Sequence, residues 1–274
     1  MRNNEDRFAP TEPQIPPSSV TNMHYVAPTE LVNLPSKGLF YPKNHPLYGK
    51  EYIEIKHMTT KEEDILSSTT FIQKGVVLDY LLKSIITDKS IDVKSLLPGD
   101  QNAIFVSARI NAYGPEYSLN FSCGQCGKTN NLVKDLSEFS PKASLEHYTI
   151  DNGLINVNLQ KSGLNVKLKQ LSVKETDGMS EYIQKNEKMG LSYGSTTSLL
   201  LFIIHSINGE ENKKDMNAVK IIENLPSRDV RQIKSVYIDS KPDIDFEFTF
   251  QCQHCGHKKE ENLPITANFF WPDA

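Results

Sequence analysis

Two Cys-x-x-Cys-Gly turns constrain this chain more than anything else in it. They are Cys123-Gly124-Gln125-Cys126-Gly127 and Cys252-Gln253-His254-Cys255-Gly256, and between them they use all four cysteines. Two residues between cysteines let a tight turn aim both sulfurs at one point. The glycine after the second cysteine accepts the left-handed backbone that such a turn commonly needs. An alternating apolar stretch leads into each pair (117–121 and 246–250), and a polar stretch leads out (129–133 and 258–263). Each pair therefore predicts a knuckle on a β-hairpin. Four thiolates match tetrahedral zinc, so Cys123, Cys126, Cys252 and Cys255 are the expected ligands of one structural Zn2+, closed to catalytic water. An iron–sulfur cluster, a redox pair, two disulfides and loss of the metal from an otherwise folded chain stand as lesser alternatives. A redox pair would normally open a helix in a thioredoxin-like unit, whereas these pairs close hairpins. His254 and His257 lie close by, but four sulfurs already complete the shell.

The gap between the pairs is roughly 125 residues, against about 15–20 in an ordinary zinc ribbon. A repeat accounts for it. Residues 52–64 (YIEIKHMTTKEED) match 165–177 (NVKLKQLSVKETD): an alternating strand, then a Thr/Ser-x-Lys-Glu helix start with Thr59, Thr60 and Ser172 as N-cap candidates. Residues 76–86 and 198–207 each predict an apolar helix. Leu97-Pro98-Gly99-Asp100 and Leu225-Pro226-Ser227-Arg228 then precede helices over 101–112 and 229–239, ended by turns at Pro115 and Pro242. Extra residues in the second copy fall around 186–194 and 210–214. The expected fold is α+β: two internally duplicated strand-helix-helix-strand units joined by a zinc-ribbon-like site. Its expected parts are a Pro-rich flexible arm (1–30), a first repeat (31–139), a linker running into the second copy's strands (140–163) and a second repeat (164–274).

Charge and motifs narrow the function. The net charge is −4 and the pI near 6.0, which runs against a protein whose main work is gripping phosphates. A nucleic-acid-binding zinc-ribbon protein is thus the alternative reading. No segment approaches the roughly 18 consecutive apolar residues of a membrane span, and residues 1–6 lack the apolar stretch of a secretory signal. A reducing, cytosolic setting is expected. Gly190-Leu191-Ser192-Tyr193-Gly194 satisfies G-x-S-x-G, but that motif works at a strand-to-helix turn, and the residues before it are polar and helical. His205, inside the predicted apolar helix, reads as a core histidine. No catalytic constellation emerges, so neither enzyme activity nor a small-molecule substrate is expected.

Three patterns together carry a resemblance. They are Leu34-Pro35-Ser36-Lys37-Gly38-Leu39-Phe40-Tyr41-Pro42, the two knuckles, and the tail Asn268-Phe269-Phe270-Trp271-Pro272. From about Leu31 onward the chain resembles the baseplate hub assembly proteins of T4-like contractile-tailed bacteriophages. The resemblance implies a non-enzymatic tail morphogenesis protein, an assembly factor or component of the baseplate central hub. Its implied partners are other baseplate or tail hub proteins, met in the host cytoplasm during assembly or in the virion tail. Phe40, Tyr41, Phe269, Phe270 and Trp271 then have two readings: anchors for another subunit, or caps on this chain's own core. The arm likewise is either a tail without a role or a segment that orders on a neighbouring subunit.

Overall fold

The structure, a computed structural model, describes residues 26–142, 145–190 and 194–270. The first half opens with an antiparallel pair, β1 (Thr29–Asn33) and β2 (Tyr52–Lys56). Helices α1 (Thr60–Leu66), α2 (Thr69–Gln73), α3 (Val77–Ile85) and α4 (Pro98–Tyr113) follow, then the hairpin β3 (Glu116–Ser122) and β4 (Thr129–Asp135). The second half holds a five-stranded antiparallel sheet in chain order: β5 (Ile150–Asp151), β6 (Leu154–Asn158), β7 (Asn165–Lys169), β8 (Ile204–Ile207) and β9 (Glu210–Glu211). Helices α5 (Val173–Lys188) and α6 (Ser195–Ile203) lie between β7 and β8. Helices α7 (Met216–Glu223) and α8 (Ser227–Asp239) lead to the hairpin β10 (Glu247–Gln251) and β11 (Lys258–Asn262), and a 3-10 turn at Ala267–Phe270 ends the described chain.

The same local chemistry recurs at matched places. Thr59 caps α1 and Ser172 caps α5, and each forms a reciprocal capping box with the acid three residues on, Glu62 or Glu175. Each acid also pairs with a lysine of the preceding strand: Lys56 with Glu62 at 2.6 Å, and Lys169 with Glu175. A second recurrence was not expected. Asp100 and Asp229 occupy the third position of α4 and α8. Asp100 accepts the N–H (3.0 Å) and hydroxyl (2.6 Å) of Ser36, in the turn after β1. Asp229 accepts the N–H groups of Lys161 (2.8 Å) and Ser162 (2.7 Å), in the turn after β6. The two turns are Leu34-Pro35-Ser36-Lys37-Gly38 and Leu159-Gln160-Lys161-Ser162-Gly163. Both end on a glycine in the left-handed region, φ +68° and +72°. The Leu-Pro-Ser-Lys-Gly run is thus a brace between turn and helix, with its serine fully buried.

The predicted apolar helix over 198–207 ends at Ile203. Ile204–Ile207 instead forms β8 and pairs with β7, so His205 sits on a strand and not in a helix. The β-branched Ile204 and Ile207 suit a pleated surface, and the free edge of β7 supplies ladder bonds that a lone helix end lacks. In the first half the same place holds one isolated bridge, Ile55 to Ile86. The span 140–163 carries β5 and β6 as well as its connecting turns.

One apolar core runs through both halves, from Leu81, Leu82 and Ile104 to Leu168, Leu201 and Ile203. Polar ties cross between them. Val173 N–H donates to the Leu96 carbonyl (2.9 Å), and Lys94 reaches both Asp79 (3.0 Å) and Asp177 (2.8 Å). A Cβ on Gly99 would lie 2.0 Å from the Pro242 carbonyl oxygen, so the start of α4 touches the second half at backbone distance.

Glu62 makes the capping arrangement testable. Burial alone would raise its carboxyl, but donors on Lys56, Ser84 and Thr59 outweigh that and hold it at about 2, below the ordinary 4.5. A depressed carboxyl contributes stability that is complete above about pH 4.5 and is lost as pH falls toward 2. Glu62→Gln should cost about 2 kcal/mol near neutrality and flatten the acid limb of the stability profile. Urea unfolding across that pH range checks it; an unchanged acid limb would show that other carboxylates govern acid unfolding.

Candidate metal centre

Each knuckle is built by the same backbone bonds. Cys123 N–H donates to the Lys128 carbonyl (2.9 Å) and Gly127 N–H to the Cys123 carbonyl (2.8 Å). In the second knuckle, Cys252 N–H donates to His257 (2.8 Å) and Gly256 N–H to Cys252 (2.9 Å). Gly127 and Gly256 have φ of +68° and +73°, with open space where a Cβ would point. The backbone conformation, and not crowding, therefore calls for glycine there.

The two hairpins bring all four sulfurs within 4.8 Å of one another. Cys123 lies 3.7 Å from Cys255, and Cys126 lies 3.7 Å from Cys252, so the close contacts cross between hairpins. A disulfide needs about 2.05 Å, and all four are free thiols. Metal–thiolate bonds of about 2.3 Å in a tetrahedron separate neighbouring sulfurs by about 3.8 Å. The cluster is therefore compatible with one metal ion held by four sulfurs. Cys123 and Cys252 are buried; Cys126 and Cys255 face outward. At Cys252, burial pushes the thiol up, yet N–H groups of His254 and Cys255, with the thiols of Cys255 and Cys126, outweigh it and bring it to about 6. At Cys255 the His257 N–H lowers the thiol, but burial and the thiols of Cys252, Cys126 and Cys123 outweigh it and push it up to about 12, so the two knuckle cysteines share one negative charge.

Aromatic and polar contacts also join the two hairpins. Phe121 meets Phe248 and Phe250, each at 5.7 Å between ring centres, and Phe139 meets Phe246 at 5.5 Å. Lys134 lies over the Phe248 ring at 5.0 Å. Buried Asn130 spans the two knuckles: its amide donates to the Lys128 carbonyl (3.0 Å), and its oxygen accepts Gln253 N–H (2.8 Å). Pro141 bridges to Ile244, flanked by Lys142 N–H to Asp243 (2.8 Å) and Asp245 N–H to Ser140 (2.9 Å). Asn130 carries no sequence signal, because its partner is more than a hundred residues away.

Four of the candidate anchors are buried in this chain. Tyr41 is buried, donates its hydroxyl to Asp100 (2.7 Å), accepts Leu97 N–H (3.1 Å) and stacks on His45 at 4.3 Å. Phe40 is buried beside it. Phe269 and Phe270 are 0% and 1% exposed; Phe269 packs on Tyr117 (5.1 Å) and Phe270 on Phe105 (5.9 Å). Buried Arg109 donates its Nε to the Phe269 carbonyl (3.0 Å) and lies over the rings of Tyr113 and Tyr117. These four aromatics pack in the chain's own core, enclosed by neighbours from distant segments. Trp271 lies outside the described residues, as do residues 1–25 of the arm.

A cleft of about 480 Å³ runs between the halves, lined by Tyr41, His45, Ser95, Lys169 and Glu175 among others. It contains a Ser–His contact, His45 Nε2 to Ser95 Oγ at 2.8 Å. Leu47 N–H donates to His45 Nδ1 (3.1 Å), which leaves the ring proton on Nε2. The ring therefore donates to Ser95, whose hydroxyl donates to the Asp92 carbonyl (2.5 Å). Activation of a serine needs the reverse polarity. The G-x-S-x-G run joins α5 to α6 with no strand before it; residues 191–193 lie outside the described chain.

The packed tail makes a direct prediction. Phe269→Ala should lower unfolding free energy by about 3–5 kcal/mol, read by urea denaturation. A loss under about 1 kcal/mol, typical of an exposed site, would contradict the enclosure of this ring.

The geometry can now be set beside known proteins. The family model described as T4 bacteriophage base plate protein matches residues 32–271, nearly the whole chain, including the Leu-Pro-Ser-Lys-Gly turn and both knuckles. No curated protein and no solved structure matches. The chain thus belongs to the T4 bacteriophage base plate protein family, with a structural role in the phage tail.

Proposed function

We propose that this protein is a non-enzymatic morphogenesis protein of the tail baseplate, acting as an assembly factor or component of its central hub. Its body on this reading is two duplicated units clipped together by one structural zinc. Membership in the base plate family carries the tail role. The hub assignment rests on the sequence resemblance in the turn, the knuckles and the tail. The polarity of the His45–Ser95 contact supports a non-enzymatic role.

Zinc is supported by the sulfur geometry. A cluster of two or four irons spreads its cysteines over several metals, whereas here four sulfurs converge within 4.8 Å around one point. Duplication is supported by the paired capping boxes, the paired Asp100 and Asp229 braces and the paired knuckles. On this reading β6 is the counterpart of β1, and the second unit begins ahead of residue 154. The partners are other baseplate or tail proteins, met in the host cytoplasm during assembly.

Two experiments test separate parts. Metal analysis of the purified chain should find one zinc, and Cys252→Ser should lose it and lower stability by several kcal/mol, since structural metal binding is coupled to folding. Finding no zinc or other metal would remove the clip. Tagged protein recovered from infected cells should bring baseplate hub proteins with it. Recovery free of tail proteins would count against the hub role whatever the metal result.

A further inference from the structure

We propose that Asn130 is the positioning residue of the metal centre, holding the two buried ligands, Cys123 and Cys252, at the spacing that one ion needs. This rests on the four-thiolate reading above and deepens it, by naming a residue outside the ligand set that governs metal retention.

The clamp starts at the carbonyl that closes the first knuckle. Lys128 O accepts Cys123 N–H (2.9 Å), and the Asn130 amide donates to the same oxygen (3.0 Å). Its other end reaches the second knuckle. Asn130 Oδ1 accepts Gln253 N–H (2.8 Å), and Gln253 directly follows Cys252. The peptide unit between Cys252 and Gln253 is therefore held from two sides, since its carbonyl accepts Gly256 N–H (2.9 Å). The next N–H, of His254, points to Cys252 Sγ (3.4 Å). One side chain thus joins the backbones of both ligating turns, beside the two cysteines that are buried. A side-chain amide supplies a donor and an acceptor on one planar group, whereas an ionised carboxylate or an ammonium supplies only one of them.

The clamp is one-sided. Asn130 pairs with Phe121 across β3–β4, and Lys259 pairs with Phe250 across β10–β11, so the two residues occupy matching places. Lys259 lies at the surface with Glu261 (2.8 Å) and returns no clamp to the first knuckle. Asn130 is 3% exposed, and its two bonds run to different hairpins. Four sulfurs within 4.8 Å of one another leave little tolerance for one knuckle sliding on the other. Ring packing permits such sliding, whereas hydrogen bonds of fixed direction oppose it. Bonds of this kind, one step out from the ligands, change metal affinity by about 10–100-fold.

Competition with a chromophoric chelator on the purified full chain tests it, with Zn2+ and Co2+ as the probe metals. Asn130→Leu should weaken zinc binding about 10–100-fold and shift the visible bands of the cobalt-loaded site. A merely structural loss would lower the unfolding free energy yet leave both readouts unchanged wherever the metal-free chain is folded. Lys259→Asn, at the matching exposed place, should behave as the wild type. If either readout in Asn130→Leu stays at the wild-type value, the proposal is overturned and the four-thiolate site still stands. A wild-type chain that takes up neither metal overturns the site reading, and the proposal with it. Should Asn130→Leu fail to fold, Asn130→Ser, a smaller change that also breaks the span between the knuckles, is read by the same outcomes.

Discussion

Four sulfurs lie within 4.8 Å of one another only if two hairpins, far apart in the chain, come face to face. That constraint organises much of the rest. The hairpins follow α4 and α8, so their meeting brings the ends of the two halves together. The aromatic contacts of Phe121 with Phe248 and Phe250, and the Asn130 bridge, hold the same interface by burial and hydrogen bonding. A bound metal would sit at the end of this interface.

Buried and half-buried carboxylates do comparable work inside each half. Asp100 and Asp229 stand in the first turns of their helices, where negative charge is favourable, and each satisfies donors of a turn that would otherwise be left dry. Glu62 and Glu175 join a strand's lysine to a helix's first turn. An acid with several donors specifies geometry more narrowly than an apolar contact does. These four residues therefore set how strand, turn and helix meet, while the apolar core supplies most of the drive to fold.

The halves share this frame but differ at their surfaces. In the second half β5 covers the edge of β6, and the outer face carries asparagine and lysine. In the first half, among the described residues, only β2 pairs with β1, and Leu31 of β1 and Tyr52 of β2 are exposed. The aromatics that looked most like anchors in the sequence are spent inside the molecule.

Much of this was legible in the sequence because its cause is local. Period-two alternation marked β2, β3, β7 and β10; Ser172 with Glu175 announced a helix start; Cys-x-x-Cys-Gly announced a knuckle; and the count of four cysteines pointed to their meeting. Other features were decided only by tertiary structure. Ile204–Ile207 follows an apolar helix without a break in pattern, and the available edge of β7 turned it into a strand. Phe40, Tyr41, Phe269 and Phe270 have the same chemistry in a core as at an interface, and the segments that bury them here are distant in sequence. Asp100 and Asp229 looked like ordinary helix-start acids until the turns they brace came into contact. A sequence window records what a residue prefers, whereas burial and partnership depend on which remote segments the chain brings beside it.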